Sequence, residues 1–270
     1  MFSADNLYTA LEKKFAASTP NFFGAYVDSG TLSPVADYYD VSKPVKDNYA
    51  NRHVPWLGFK NINKGNPAGI TKDFGSEFPS GRMADFSKLP KVSFVIPALN
   101  HDMHDYDDFG NAVSAPDNSS VAVRRGDYWL QQSLGAYAEW AKTHNSLLIV
   151  TFDEDSTADW PTPVAAQGGG VVGGSTNPEG LTAPNLDYKA TYWSPTHSPT
   201  GESGPNHIAM IFYGDHLAKH GLYSVPGAGV NNVNILRTIE SFYKLKKSGA
   251  QTPLAKKAGM NDEAISGIFR

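Results

Sequence analysis

Short apolar segments that suit buried β-strands recur along this chain. "KVSFVIP" at residues 91–97 is β-branched and aromatic and stops at a proline, and "LLIVTF" at 147–152 has the same character. "HIAMIFYGD" at 207–215 is a third such segment, and "FFGAYV" at 22–27 predicts a shorter strand. Continuous apolar runs are typical of strands that are covered on both faces. We therefore predict a sheet buried between other layers.

Amphipathic helical patterns alternate with these strands. Residues 126–144 predict a long helix that Asp127 can cap, 231–245 predict a second helix, and 3–17 predict an N-terminal helix with Ser3 as its N-cap. The stripes expected to be buried are Leu130, Leu134, Tyr137 and Ala141 in the long helix and Leu7, Leu11 and Phe15 in the first. The alternation predicts an α/β fold with a mostly parallel central sheet flanked by helices.

The composition excludes several classes of function. Lys and Arg number 23 and Asp and Glu 27, so the net charge of −4 gives no basic excess for nucleic acid. The absence of cysteine excludes disulfides and thiolate metal sites. No apolar run is long enough to span a bilayer, and the N-terminus lacks the apolar core of a signal peptide. The cellular location therefore stays unassigned.

Two regions have little periodicity. Residues 28–90 are rich in Pro, Gly, Asn and Tyr and predict long loops with short elements. Residues 156–206 are rich in glycine, which fits either a low-complexity insertion or a functional lid. We expect a single domain over 1–250 with an insertion at 156–206, followed by a C-terminal tail at 251–270.

Polar side chains cluster where the predicted strands end. Ligands of open α/β sheets bind beyond the carboxyl ends of the strands. The strand at 147–152 leads into three acids, and the strand at 91–97 leads into a turn rich in acids and histidines. The residues in question are Asp153, Glu154 and Asp155 after the one strand, Asn100, His101, Asp102, His104 and Asp105 after the other, and Asn206 and His207 before the strand at 207–215.

Oxygen and imidazole groups without thiolates suit a divalent cation such as Zn, Mn, Mg or Ca. Three adjacent acids would repel one another unless a cation or several donors compensated them. Each group also has a structural interpretation: acids after a strand can cap helices or lie in solvated turns, and His207 can be structural. Arg52 and His53 are weaker candidates for contact with a phosphate.

No nucleophile can be identified from a motif. The chain has no G-x-S-x-G elbow, P-loop or dinucleotide fingerprint in a strand–helix context. Thr151 lies inside a predicted strand, and Ser156 follows the acids without a partnering base. The residues alone therefore indicate a metal-dependent hydrolase or a metal-binding domain.

The order of these segments resembles a known family. "VSFVIPALNHDMHD", "RRGDYWLQQSLGAYAEWAKTHNSLLIVTFDED", "NHIAMIFYGDHLAKHGLYS" and "VNILRTIESFYKL" are similar to the phosphoesterase family of acid phosphatases and phospholipase C enzymes. The family belongs to the alkaline phosphatase superfamily. The resemblance implies that superfamily's sheet and a metal-assisted hydrolysis of phosphate esters, with a small phosphorylated molecule or a phospholipid head group as substrate.

The resemblance also implies roles for particular residues. Asp153 and Glu154 match the paired metal ligands at the strand end, and His207 matches a late histidine near the metal or the phosphate. Asn100, Asp102 and His104 match the strand end that supplies a second metal ligand or binds the phosphate, and Asp102 and His104 are the candidate catalytic groups. Asn100 and His53 are the candidates for binding the substrate.

The chain departs from the family pattern at its start. Members open with a strand that leads to a Glu-Asn motif and then to a Ser or Thr nucleophile, and neither is found here. We therefore expect the chain to be the later part of a longer protein, in which case it lacks the first strand of the sheet and the export signal that the family usually has. A non-catalytic remnant that binds metal or phosphate stays an alternative, as does a sulfatase-like or phosphodiesterase relative.

Overall fold

The computed structural model divides the chain into two compact units, Met1–Trp140 and Ala141–Arg270, called here the N-terminal unit and the C-terminal unit. In the part of the chain that the structure describes, no helix is long and apolar enough to cross a membrane. The described residues are 2–28, 53–103, 119–152, 210–218, 232–249 and 262–270.

The N-terminal unit is built on a parallel sheet. Its strands are β1 (Phe23–Val27), β2 (Thr71–Asp73) and β3 (Val92–Ile96), in the order β2-β1-β3. Both neighbours run parallel to β1, which is consistent with the prediction for the strands at 22–27 and 91–97. Because the strands are parallel, their carboxyl ends lie at one edge of this sheet.

Helix α1 (Leu7–Phe15) precedes the first strand. Its N-cap is Asn6 rather than the predicted Ser3, because the Asn6 side chain accepts from the backbone N–H of Thr9 at 3.1 Å and the Thr9 hydroxyl accepts from the Asn6 N–H at 3.0 Å. This reciprocal capping box satisfies two helix-end donors at once. Leu11 is fully buried, as the stripe predicted.

The loop-rich region has the short elements that its composition predicts. In its described part, β2 is followed by the one-turn helix α2 (Phe74–Glu77), and four short 3₁₀ turns occur. Aromatic rings fill the space between these turns and the sheet. The ring pairs of this cluster include Phe23–Phe94, Tyr26–Phe78, Phe74–Trp129 and Phe86–Trp140.

Helix α3 (Ser119–Ala141) is longer than predicted. It begins seven residues before the expected start at 126, so Asp127 lies inside the helix with an exposed side chain and is not its cap. Ala122 is buried at 4% exposure, so the additional turns also have a packed residue. Leu134 and Ala141 of the predicted stripe are buried.

The C-terminal unit combines β4 (Leu147–Thr151), β5 (Met210–Gly214) and α4 (Asn232–Phe242). β4 and β5 pair in antiparallel register. The parallel arrangement predicted from the sequence is found in the three-stranded sheet of the N-terminal unit. The core of the unit packs Ile235 of α4 against Ile265 and Ile268, with Ile149, Met210 and Phe212 beside them. A parallel sheet flanked by helices confirms the predicted α/β class.

Buried charges join α4 to the last residues of the chain. Arg237 and Glu240 are 6% and 2% exposed, and the Arg237 guanidinium donates to the Glu240 carboxylate at 2.7 Å and to the Asp262 carboxylate. Residues 262–270 are thereby held on α4. The predicted insertion at 156–206 lies outside the described residues, and the predicted domain boundaries stay a prediction.

Candidate functional site

The carboxyl edge of the parallel sheet gathers two chain segments that carry polar side chains. β1 ends at Val27, and the N–H of the next residue, Asp28, donates to the Ile96 carbonyl at 2.8 Å. After β3 the chain turns, and the His101 N–H donates to the Ala98 carbonyl at 2.8 Å. Asp28 and the turn after β3 (residues 97–103) are therefore side by side.

His101 pairs with Asp28 across this edge. Its Nδ1 is 3.1 Å from the Asp28 Oδ2, with the side chains 31% and 24% exposed. The imidazole also stacks on the indole of Trp129 in α3, with ring centroids 5.8 Å apart and planes 19° apart. The ring is thus fixed by a carboxylate at one nitrogen and by an aromatic face.

A second histidine–carboxylate pair follows in the same turn. His53 Nδ1 is 3.8 Å from the Asp102 Oδ2, and the two side chains are 35% and 15% exposed. That distance suits an ion pair but exceeds a direct hydrogen bond. Both residues were predicted as site residues from the sequence, and the structure brings them together.

Asn100 directly precedes His101 and Asp102 in this turn. Leu99, which precedes it, is 1% exposed and anchors the turn in the core. The Asn100 Oδ1 atom is buried and has no hydrogen-bonding partner, one of three such side-chain atoms among the described residues. A buried carbonyl oxygen without a donor is costly, by about 1–3 kcal/mol. We call Asp28, His53, Asn100, His101 and Asp102 the strand-end cluster.

Gly126 of α3 lets the turn approach the helix. A Cβ at this position would lie 2.9 Å from the His101 carbonyl oxygen and 2.3 Å from the Met103 Cγ. Met103 itself has φ of 67°, a left-handed conformation that few residues adopt without a reason. The "GDYW" sequence of α3 therefore provides a gap at Gly126 and an aromatic face at Trp129, one turn apart, against which the turn packs.

In the C-terminal unit, the end of β4 is fastened to α4. Asn232 donates its amide to the Phe152 carbonyl at 3.0 Å and stands 3.4 Å from the Thr151 hydroxyl. Phe152 is the last described residue before Asp153. The predicted ligands and catalytic residues that lie outside the described residues are Asp153, Glu154, His207 and His104, and so are Asp155, Asp105, Asn206 and Arg52.

Comparison with known proteins identifies the family of this chain. The family model named Phosphoesterase family matches residues 21–246. This chain belongs to the phosphoesterase family. The match confirms the resemblance seen in the sequence and implies an alkaline phosphatase-like fold, with which the parallel sheet and its flanking helices agree.

One curated relative of this chain is the phosphatidylinositol-3-phosphatase of Mycobacterium tuberculosis (strain ATCC 25618 / H37Rv). The two are 33% identical over 204 residues, which is 76% of this chain and 44% of the relative. The chain thus spans less than half the length of that relative. No solved structure gives a significant match.

The metal ligands predicted from the sequence lie outside the described residues. Within the described ranges, no group of three His, Cys, Asp or Glu side chains is arranged to hold a metal ion. The predicted donors Asp153, Glu154 and His207 are carboxylates and an imidazole, a set that suits a divalent cation. Asp153 and Glu154 directly follow, in the sequence, the strand end that Asn232 fastens.

Sequence reasoning missed two members of the site. Asp28 directly follows the strand at 22–27, so the strand-end rule that selected Asn100 and Asp102 would also have found it. Trp129 carries no such signal, because an aromatic residue on an amphipathic helix usually belongs to the core. Its stacking on His101 depends on the packing of α3 against the turn.

Proposed function

We propose that this chain hydrolyses phosphate esters, with phosphate monoesters as the preferred class. The observation that carries the proposal is the strand-end cluster: two histidine–carboxylate pairs and a buried amide on one edge of the sheet, in a chain of the phosphoesterase family. Imidazole and amide groups are suited to bind and orient phosphoryl oxygens, and phosphoryl transfer depends largely on such positioning.

The cluster divides into binding and catalytic groups. His53 and Asn100 bind the substrate, the former through its imidazole N–H and the latter through its amide. Asp102 orients His53, because its carboxylate is 3.8 Å from the His53 Nδ1 and only 15% exposed. Asp102 and His104 are the proposed catalytic pair. They act as general acid and base, taking a proton from the attacking group and giving one to the leaving oxygen as the ester bond breaks.

We infer that the chain binds a divalent metal ion, Zn, Mn, Mg or Ca, through Asp153, Glu154 and His207. When bound, the ion supplies a Lewis acid that stabilises negative charge on the phosphoryl oxygens. The support for this role is the donor chemistry and the family, together with the strand end that Asn232 holds just before Asp153.

The activity named for the relative favours a monoesterase. A phosphatidylinositol-3-phosphatase acts on a phosphate attached to an inositol ring, whereas phospholipase C chemistry cleaves a diester. We therefore propose a small phosphorylated molecule or a phosphorylated lipid head group as substrate, an acid phosphatase type of activity ahead of a phospholipase C type.

A substrate panel tests this proposal. The folded chain is supplied with each metal in turn and offered an aryl phosphate monoester, the matching bis-aryl diester and an aryl sulfate, with product release as the measurement. We expect the monoester to be cleaved fastest. Preferential cleavage of the sulfate or of the diester would contradict the proposed class of reaction.

Metal binding is tested separately by measuring the stoichiometry of the bound ion. Asp153→Ala is expected to abolish it, while Asp5→Ala, a change at an exposed acid of the N-terminal unit, should leave it unaltered. An unchanged stoichiometry in Asp153→Ala would overturn the ligand assignment.

A further inference from the structure

The pair His101–Asp28 belongs to the strand-end cluster, but the function proposed above assigns no individual role to either residue. Three elements of the N-terminal unit meet at the His101 ring: the end of β1 through Asp28, the turn after β3 that carries the ring, and α3 through Trp129. The ring is therefore held at Nδ1, at 3.1 Å from the carboxylate, and on one face by the indole. A side chain fixed by its neighbours in this way is preorganised for contact with a ligand.

The two ring nitrogens differ in their surroundings. Nδ1 meets the Asp28 carboxylate, whereas Nε2, on the other side of the ring, has no hydrogen-bonding partner within the described ranges. The side chain is 31% exposed, so solutes reach it. His101 directly precedes Asp102, whose carboxylate orients the proposed substrate-binding residue His53.

We propose that His101 binds the phosphoryl group of the substrate through Nε2 and that Asp28 and Trp129 are positioning residues for its ring. The inference rests on the proposed function. With Nδ1–H donated to the Asp28 carboxylate, Nε2 is the ring nitrogen left to meet the ligand. As phosphate binds, Nε2 takes up a proton from the phosphate or from solvent and donates it in a hydrogen bond to a phosphoryl oxygen. The Asp28 carboxylate balances the charge that the ring gains, and the indole fixes the plane of the ring.

The competing explanation is structural: His101 could serve only to tie the turn after β3 to Asp28 through Nδ1. Two substitutions separate the explanations, because the amide of asparagine occupies the position of Nδ1 and the amide of glutamine reaches the position of Nε2. His101→Asn keeps the group that meets Asp28, and His101→Gln keeps the group that would meet the phosphate.

The measurement is the Kd of inorganic phosphate for the metal-supplemented 270-residue chain. We expect His101→Asn to raise this Kd about tenfold or more, since a hydrogen bond to a charged group is lost, and His101→Gln to raise it by less. His216→Asn is the matched control, because His216 also faces an aspartate, Asp215 at 3.7 Å, in the C-terminal unit. This control should bind phosphate as the wild type does.

The tautomer of His101 gives a readout that a loss of folding would not imitate. Its side-chain ¹⁵N shifts should report Nδ1–H in the free chain and should move at Nε2 when phosphate is added. Asp28→Asn is expected to weaken the preference for Nδ1–H and to raise the Kd of phosphate several-fold. A phosphate-induced shift that leaves Nε2 unmoved would overturn the inference.

The outcomes distinguish this inference from the proposed function. If the chain binds phosphate in the expected order of variants but cleaves no ester, the proposed function fails and the role of His101 in binding phosphate stands. If esters are cleaved while both His101 variants keep the wild-type Kd, the proposed function stands and the inference is overturned. Binding retained in His101→Asn and lost in His101→Gln assigns the structural role and also overturns it.

Discussion

The imidazole of His53 faces the carboxylate of Asp102, with Nδ1 3.8 Å from Oδ2. The contact joins a residue that precedes β2 to the turn that follows β3, so it depends on the tertiary fold and not on any local motif. With Asp102 only 15% exposed, the interaction is partly shielded from solvent. This pair is the part of the strand-end cluster whose members were both predicted from the sequence.

Substitution of this pair should separate catalysis from binding. We expect Asp102→Asn to lower kcat for an aryl phosphate about 100-fold or more, in the range for groups that assist proton transfer. His53→Asn should act mainly on KM, because His53 is proposed to bind the substrate. Steady-state kinetics of both variants check this, with Asp85→Asn at an exposed 3₁₀ turn as the control. Equal kinetics in all three variants would contradict the assignment.

The close approach at Gly126 predicts opposite effects of two glycine substitutions in one helix. Gly126→Ala places a methyl group against the His101 carbonyl oxygen, and overpacking of this kind costs about 1–3 kcal/mol. Gly135→Ala meets nothing within 4 Å and should stabilise α3 by up to about 1 kcal/mol through helix propensity. Urea unfolding of the two variants measures the difference, and a stable Gly126→Ala chain would show that the turn can move away.

The buried ion pairs of the C-terminal unit predict a large loss of stability. Burial works against the charge of Arg237, but the hydrogen bonds that its guanidinium donates to the Glu240 and Asp262 carboxylates outweigh burial and raise the pKa of the guanidinium. Arg237→Met would leave the Glu240 carboxylate, 2% exposed, without its cation, at a cost of about 3–5 kcal/mol.

Lys247→Met is the control for this change, because Lys247 is 50% exposed in its ion pairs with Asp262 and Glu263. Exposed pairs contribute about 1 kcal/mol or less. Chemical unfolding should therefore rank Arg237→Met well below Lys247→Met, and similar free energies of unfolding for the two would be evidence against a tightly packed network.

Asp215 predicts a pH-dependent contribution to stability. Its carboxylate accepts from the backbone N–H of His216 at 2.7 Å and of Asn145 at 3.2 Å, and these bonds hold the pKa of the carboxyl below its ordinary value of 3.8. Since the folded pKa lies below the unfolded one, the stabilisation is present above the unfolded pKa and is lost as pH falls through the folded pKa.

Asp215→Asn should accordingly unfold at lower urea than the wild type at neutral pH, with a gap that closes in acid. Unfolding midpoints over a pH series measure this gap. If the difference between the two unfolding midpoints stays constant even at pH values below the folded pKa, the charge of Asp215 does not contribute to stability.

The strands and helices of this chain were largely predictable from the sequence, but the pairing of the strands was not. Apolar runs located β1, β3, β4 and β5 to within a few residues, because continuous β-branched and aromatic segments are typical of strands. Burial on both faces was not borne out for β5, where Ile211 and Tyr213 are 53% and 37% exposed. The antiparallel pairing of β4 with β5 could not be predicted, since strand direction depends on how the chain returns. The early start of α3 was also missed, because the helix was predicted to begin at 126 and it begins at Ser119.

Some residues of the site could be predicted because they follow the end of a strand. The rule that ligands bind beyond strand ends selected Asn100 and Asp102, which the structure holds at the carboxyl edge of the parallel sheet. The burial of Arg237 and Glu240 in α4 was not predicted from the sequence. Such partners become visible only when distant segments meet, as residues 262–270 meet α4.

The most direct test of the central claim is phosphate release from an aryl phosphate by the 270-residue chain. The assay is run with Zn, Mn, Mg or Ca and with each metal chelated, for the wild type, Asp153→Ala and the exposed-acid control Asp5→Ala. We predict metal-dependent release by the wild type and by Asp5→Ala, and none by Asp153→Ala. Absence of release by a folded, metal-bound wild-type chain would contradict the proposal that this chain is itself a phosphate ester hydrolase.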